Sequence, residues 1–259
     1  MLILFVFVKR CSVDSSVPTP KQSFPNRITS NSGTMKGIQA TVGGMIAALA
    51  SLAQANSDIV TLFTNGNAYI QEASATLVLP ELPSAISGDV AIWSAIMMQN
   101  EASFLQGVTS NSPSGSYCED GGKNWCNFAY TLVGSNPTVG TPVKASAGST
   151  VRTHYKLNPS TQLWDQNVYV DGKLVSTVNT SKGQHGNIFY ISIECASGGC
   201  ANHPAHTWKD VSIVLSEADK SFGHSGSWEH GATGGAMTTS DGGKTWNIAI
   251  LNIPAQKAE

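Results

Sequence analysis

The stretch FYISIECASGGCANHPAH, residues 189–206, carries the pattern on which the fold prediction rests. Its first half alternates as a β-strand does, placing Tyr190, Ser192 and Glu194 on one face and isoleucines on the other. A carboxylate is costly to bury among apolar side chains. Two readings of Glu194 therefore stay open: an acid on a solvated strand face, or a buried acid with a chemical role.

Short runs rich in β-branched and aromatic residues recur along the chain, separated by turn residues. Asp171-Gly172, between residues 164–170 and 173–178, is a strong hairpin signal. Asn65-Gly66-Asn67 predicts a second hairpin within residues 58–79. Further strands are predicted at residues 89–98, 103–108, 127–133, 149–157, 189–195, 207–215 and 246–253. We predict an all-β fold, a two-sheet antiparallel β-sandwich of the concanavalin-like or jelly-roll kind, with little or no helix outside the N-terminal segment.

The charge balance argues against a nucleic-acid partner. Lys and Arg number 15 against 17 Asp and Glu, and charged residues make up 12% of the chain. Such a composition, with many small polar residues, is more typical of secreted β proteins than of helical cytosolic enzymes.

The N-terminal region has the pattern of a secretory signal. Lys36 follows Met35, residues 38–52 are apolar, and Ala53-Gln54-Ala55 resembles a cleavage site. The apolar segments fall short of the ~20 residues that a membrane-spanning helix needs, so no stable span is expected. We predict a disordered leader (1–34), a signal peptide (35–55) and one secreted β-sandwich domain (56–259). The sequence does not indicate an oligomeric state.

Four cysteines of the predicted domain agree with export to an oxidising compartment. The simplest pairing joins Cys118 to Cys126 and Cys195 to Cys200. The alternative treats residues 195–206 as zinc ligands with C-x4-C-x2-H-x2-H spacing. We favour disulfides and predict neither a metal nor a cofactor.

Two D-G-G-K-x-W segments, residues 120–125 and 241–246, repeat one local pattern. Their Asp and Gly residues suit tight turns, and a role in binding calcium or sugar is the alternative. The second segment resembles the Asp-box turn of sialidases. A sequon at Asn179 predicts a surface glycosylation site.

Several segments resemble the fungal glutamic peptidases. They are Trp93, the LQGV run at 105–108, the GSTV strand start at 148–151 and the YISIE run at 190–194. The resemblance implies a concanavalin-like sandwich in which Gln106 and Glu194 form the catalytic pair. The chain departs from the family pattern where Gly107 follows Gln106 directly and where Tyr190 replaces a tryptophan. In such a pair, Glu acts as general acid and base while the amide stabilises an oxyanion.

A second resemblance is to secreted fungal proteins of secondary-metabolite pathways, including hetero-Diels-Alderases that join a tropolone quinone methide to humulene. It rests on residues 125–135, 164–176 and 234–246. The resemblance implies a cofactor-free pericyclase for a small apolar substrate, with Gln106 or protonated Glu194 donating a hydrogen bond.

Four aromatic side chains are candidates for lining the pocket of such an enzyme, with packing in the core as their alternative role. They are Trp93, Trp125, Trp164 and Tyr190. The pericyclase is our leading prediction from sequence, with a glutamic-type acid endopeptidase and a carbohydrate-binding module as alternatives.

Overall fold

Antiparallel strands make up most of the part of the chain that the computed structural model describes, residues 55–83, 87–115, 117–199, 202–226 and 228–258. Two single-turn 3-10 helices, Gln99–Glu101 and Phe222–His224, are the helical segments of these residues. The strands are β1 (Ala55–Phe63), β2 (Ile70–Val78), β3 (Ser87–Met98), β4 (Ser103–Asn111), β5 (Trp125–Val133), β6 (Asn136–Val139), β7 (Val143–Ala145), β8 (Thr150–Leu157), β9 (Trp164–Val170), β10 (Lys173–Thr180), β11 (Gly186–Gly199), β12 (His206–Leu215), β13 (Thr233–Gly234) and β14 (Thr245–Ile253). The all-β prediction is confirmed.

The strands form two layers, which confirms the predicted sandwich. The first sheet has the order β1-β11-β3-β4-β5, and both β6 and β7 pair with the far edge of β5. The second sheet has the order β13-β14-β12-β2-β8-β9-β10. The pairing of Gly186 in β11 with Ile70 in β2 joins the layers.

The core lies between the two sheets, where each strand turns one set of alternating side chains inward. Ile92, Ile191 and Ile193 of the first sheet are fully buried there. A Cβ atom added at Gly107 of β4 would overlap Thr153 of β8, so only glycine fits where the layers approach. The opposite face of the first sheet is thereby turned away from the second sheet.

The two predicted hairpins have different outcomes. Asp171-Gly172 does connect β9 to β10, with Val170 paired to Lys173. The hairpin predicted at Asn65-Gly66-Asn67 is wrong, because β1 pairs with β11 in the first sheet whereas β2 pairs with β8 and β12 in the second. A turn signal reports a local reversal of the chain but not the partner of the next strand.

The Cys118–Cys126 disulfide is present and confirms that prediction. Cys195 is also disulfide-bonded, but its expected partner Cys200 lies outside the described residues, as do the predicted leader and nearly all of the predicted signal peptide (residues 1–54). No helix of the described residues is long and apolar enough to cross a membrane.

Candidate functional site

The candidate site lies on the face of the first sheet that is turned away from the second, which we call the site face. In β11, Ile191 and Ile193 point into the core, so Tyr190, Ser192 and Glu194 point to the site face. Side chains paired across neighbouring strands share a face. The register of β1, β11, β3, β4 and β5 therefore assigns three cross-strand rows to the site face.

The first row, the Glu194 row, runs across Asn56, Glu194, Ala91, Ser110 and Cys126. Ala91 contributes a single methyl group between Glu194 and Ser110 and is itself buried. Ser110 is 5% exposed, and its buried hydroxyl has no hydrogen-bond partner among the described residues. Native structures leave few buried polar groups unpaired, so this hydroxyl is a candidate for binding a ligand.

The second row, the Trp93 row, contains Asp58, Ser192, Trp93, Val108 and Phe128. The Ser192 hydroxyl donates a hydrogen bond to Asp58 Oδ1 at 2.5 Å, and the amide of Asn56 donates to the same oxygen at 3.2 Å. Burial raises the pKa of Asp58, and these two hydrogen bonds oppose the rise. A second partly buried carboxyl therefore lies one row away from Glu194.

The Glu194 carboxyl is 3% exposed and accepts a hydrogen bond from the indole N–H of Trp93 at 3.0 Å. Burial raises the pKa of Glu194 to about 7; the Trp93 hydrogen bond opposes this rise, and the charge of Asp58 adds to it. A buried carboxyl that remains protonated in weak acid can serve as a proton donor. The structure therefore supports the reading of Glu194 as a buried acid rather than a solvated one.

The third row, the Gln106 row, contains Tyr190, Ala95, Gln106 and Tyr130. The Gln106 side chain is 0% exposed, and neither its amide nitrogen nor its amide oxygen has a partner among the described residues. An unpaired buried carboxamide is costly, roughly 1–3 kcal/mol for each group left unsatisfied. Gln106 thus offers one acceptor and two donors to a molecule bound at the site face.

Gln106 and Glu194 lie on the same face but are not direct neighbours. Two strands and four residues of register separate them, which corresponds to about 16 Å between their Cα atoms. The Trp93 row, with the buried side chains of Ser192, Trp93 and Val108, lies between them.

Tyr130 is the cross-strand neighbour of Gln106 and lies within range of the charge of Glu194. Burial raises the pKa of Tyr130 to about 12, and the charges of Tyr117 and Glu194 add to the rise. The charge of Glu194 therefore acts on the residue that pairs with Gln106.

The four predicted pocket aromatics divide into two pairs. Trp93 and Tyr190 lie on the site face, where their rings pack edge to face with Phe104 at centroid distances of 5.5 and 6.0 Å. Trp125 and Trp164 are buried in the core between the sheets and donate their indole N–H to backbone oxygens of Pro80 and Gln184. The prediction that those two line a pocket with Trp93 is corrected, because their strand positions turn them inward.

A loop between β4 and β5 forms one wall of the site. Cys126 ends the Glu194 row, and its disulfide to Cys118 ties this loop to the sheet. Tyr117 of the same loop packs against Phe128 at 4.5 Å between ring centroids. The disulfide therefore positions an aromatic side chain beside the site face.

The zinc alternative finds little support. His203 Nε2 lies 2.9 Å from the backbone oxygen of Glu194, and His206 Nδ1 lies 2.9 Å from that of Pro204. Burial lowers the pKa of both histidines, that of His206 to about 4. Among the described residues no cluster of three or more His, Cys, Asp or Glu side chains is placed to hold a metal.

The D-G-G-K loops and the sequon have local structural roles. Asp120 accepts hydrogen bonds from Gly122 and Asn124, while Asp241 accepts them from the backbone of Lys244 and Thr245. These contacts are the predicted turn chemistry. Asn179 is exposed, its amide donates to Asp165, and its glycosylation stays a prediction.

Sequence reasoning missed Asp58, Ser110 and Tyr130. Each lies in a different strand from Glu194, and the signal that unites them is the register of the sheet rather than a motif. The sequence signal for Asp58 is its position as an acid within the alternating run at residues 55–63.

Comparisons with known proteins show a likeness of structure without a match of sequence. No protein-family model and no curated protein matches the chain. It is similar to scytalidoglutamic peptidase in complex with a peptide-based transition-state analogue (TM-score 0.48, 16% identity, 76% of this chain and 97% of that one). It is also similar to SCP-B, a member of the eqolisin family of peptidases (0.45, 14%, 76% and 96%), and to an endo-1,3-β-glucanase from Streptomyces sioyaensis (0.33, 11%, 74% and 68%). Because these similarities are weak, we draw no functional conclusion from them.

Proposed function

We propose that the protein is an acid hydrolase that cleaves peptide bonds at the site face, with Glu194 as the proton donor and Gln106 as a substrate-binding amide. The proposal rests on the presence of two buried polar groups on the same face of the first sheet. One is a carboxyl whose pKa burial raises to about 7, and the other is a carboxamide without a partner among the described residues.

A peptide group matches the unpaired atoms of Gln106. Its carbonyl oxygen accepts a hydrogen bond and its N–H donates one, and the carboxamide supplies the complementary donor and acceptor. A donor aimed at the carbonyl oxygen stabilises the negative charge that develops there when water attacks. Ser110, whose hydroxyl lies in the same row as Glu194, supplies a second donor.

The reaction balances with these groups. Water adds to the carbonyl carbon, and the electrons of the C=O bond move to its oxygen, which Gln106 and Ser110 bind. Glu194 donates its proton to the amide nitrogen as the C–N bond breaks. The proton lost by water restores the Glu194 carboxylic acid, and the products are a carboxylic acid and an amine.

Hydrolysis of a denatured, fluorescently labelled protein between pH 3 and 7 tests the proposal. Glu194→Gln should lower kcat by about 10²–10⁴-fold, and Gln106→Ala by about 10²–10³-fold. Glu72→Gln is the matched control, because Glu72 lies in β2 of the second sheet and pairs with His154 and Lys156. Full activity of a folded Glu194→Gln protein would refute the proposal.

A pericyclase is the second candidate, favoured by the aromatic cluster of Trp93, Phe104 and Tyr190 beside the unpaired Gln106 amide. Apolar rings that exclude water and one hydrogen-bond donor suffice for such a reaction. Stereocontrolled adduct formation from a tropolone quinone methide and humulene, together with a lack of peptide hydrolysis, would establish this candidate instead. A racemic adduct formed at the uncatalysed rate would eliminate it.

We also propose that the protein is exported, and the Cys118–Cys126 disulfide supports this because such bonds persist in oxidising compartments. Finding Asn56 as the N-terminal residue of the secreted protein would verify the predicted cleavage after Ala55. A carbohydrate-binding role stays a prediction, and binding on a glycan array without hydrolysis would favour it.

A further inference from the structure

Two carboxyls lie diagonally across from Glu194 in the register of the sheet, Asp58 of β1 and Asp89 of β3. Asp89 is buried and accepts two hydrogen bonds from Ser114, whereas the charge of Asp58 adds to the raised pKa of Glu194. Asp58 pairs with Ser192, and Glu194 lies two residues further along the same strand β11. Diagonal cross-strand neighbours on one face lie roughly 7–8 Å apart, within reach of two carboxyl side chains through one water molecule.

The Asp58 carboxylate has a defined orientation. Ser192 and Asn56 both donate to the same oxygen, Oδ1, and both lie on the site face. Asn56 is itself the direct cross-strand partner of Glu194, and its own amide oxygen is buried without a partner among the described residues. Asp58 is only partly buried, so water can approach it.

We propose that Asp58 is the general base of the hydrolysis and takes the proton of the attacking water, while Glu194 acts as the acid. This inference rests on the function proposed above. The water oxygen bonds to the carbonyl carbon as its proton passes to the Asp58 carboxylate. Glu194 gives its proton to the departing nitrogen, and the C–N bond breaks. Transfer of the proton from Asp58 to Glu194 through solvent restores both groups.

The electrostatic environments of the two carboxyls agree with these roles. Burial raises the pKa of Asp58; Ser192, Asn56 and His230 oppose the rise, and Glu229 adds to it. Burial also raises the pKa of Glu194, to about 7, and the charge of Asp58 adds to this rise. Glu229 and His230, in the segment after Trp228, are charged or titratable groups that act on Asp58, and Tyr130 of β5 lies within range of the charge of Glu194. The hydrogen bonds from Ser192 and Asn56 favour the charged form of Asp58, which is the form that a base requires.

The pH profile of kcat/KM tests the inference, because its acid limb reports the ionisation of the base. Ser192→Ala removes a hydrogen bond that lowers the pKa of Asp58, so the acid limb should move to higher pH. Glu229→Gln removes a negative charge that raises this pKa, so the limb should move to lower pH. The second shift is to be measured at low ionic strength, since Glu229 is exposed and salt screens it.

Replacement of Asp58 itself completes the test. Asp58→Asn should lower kcat by about 10²–10⁴-fold, and Asp58→Glu should recover part of the loss. Shifts of the acid limb in opposite directions for Ser192→Ala and Glu229→Gln support the role even where Asp58→Asn folds poorly. If folded Asp58→Asn keeps its activity and acid limb while Glu194→Gln is inactive, the base assignment is overturned and the proposed function stands. Activity in Glu194→Gln overturns both.

Discussion

Ser110 and Glu194 occupy the same cross-strand row of the first sheet, with the methyl group of Ala91 between them. The row brings together a hydroxyl without a partner among the described residues and a carboxyl whose pKa is raised by burial. Polar groups therefore lie on both sides of Ala91 in this row.

Replacement of Ser110 should separate activity from stability. Ser110→Ala removes an oxyanion donor, which should lower kcat by about 10²–10³-fold. Its free energy of unfolding should not fall, because the hydroxyl has no bond to lose among the described residues. Thr109→Val is the matched control: Thr109 donates to Asn127 at 2.8 Å, so stability should fall while activity is kept. Loss of stability without loss of activity in Ser110→Ala would contradict the assignment.

Trp93→Phe should raise the pKa of Glu194 above about 7, because the indole hydrogen bond favours the charged carboxylate. The alkaline limb of the activity profile, or ¹³C NMR of the Glu194 carboxyl, should move to higher pH. The control is Trp208→Phe, a buried tryptophan in the core whose indole N–H has no partner within the described ranges. An unchanged titration in Trp93→Phe would show that the hydrogen bond is not made in solution.

Glu194 should also leave a signature in the pH dependence of stability. Its pKa in the folded state is about 7, above the ordinary value of 4.5, so the folded protein holds this proton more tightly. The contribution is complete below pH 4.5 and is lost as pH rises through about 7, a change of about 3 kcal/mol. Denaturant unfolding of wild type and Glu194→Gln at several pH values measures it. Parallel pH curves for the two proteins would contradict the raised pKa.

Gly107→Ala should destabilise the fold by about 1–3 kcal/mol or more, because the new methyl group would overlap the Thr153 side chain of the facing sheet. Gly235→Ala is the control, since an added Cβ there meets no atom closer than 3.8 Å. Thermal or denaturant unfolding distinguishes the two. Equal stability of both variants would mean that the sheets can separate locally at β4 without cost.

The fold could be predicted from the sequence where the structure depends on neighbouring residues. Alternation predicted β11, and Asp171-Gly172 predicted the β9–β10 hairpin, because both depend on neighbouring residues alone. The turn signal at Asn65-Gly66-Asn67 gave a wrong hairpin prediction, because the partners of β1 and β2 are strands far along the chain. Long-range pairing leaves no trace in a short window.

The site was readable only in part for the same reason. Glu194 is recognisable in the sequence as an acid within an apolar run. Asp58 and Ser110 lie near it only because β1 pairs with β11, β11 with β3 and β3 with β4. Trp125 and Trp164 resembled pocket residues because the first sheet and the core are both rich in apolar side chains. Their strand position, which decides the face, is not visible when both faces are buried.

Under the proposed function, the Cys118–Cys126 bridge bears on whether the protein can cleave its own chain. A substrate strand must extend about 3.3 Å per residue to lie along a sheet, so residues 118–126 would span roughly 26 Å in that form. The bridge holds the Cα atoms of its two cysteines 5.8 Å apart. The segment beside Tyr117 is therefore held in a ring that cannot straighten, so a peptidase acting as proposed could not bind it as an extended substrate.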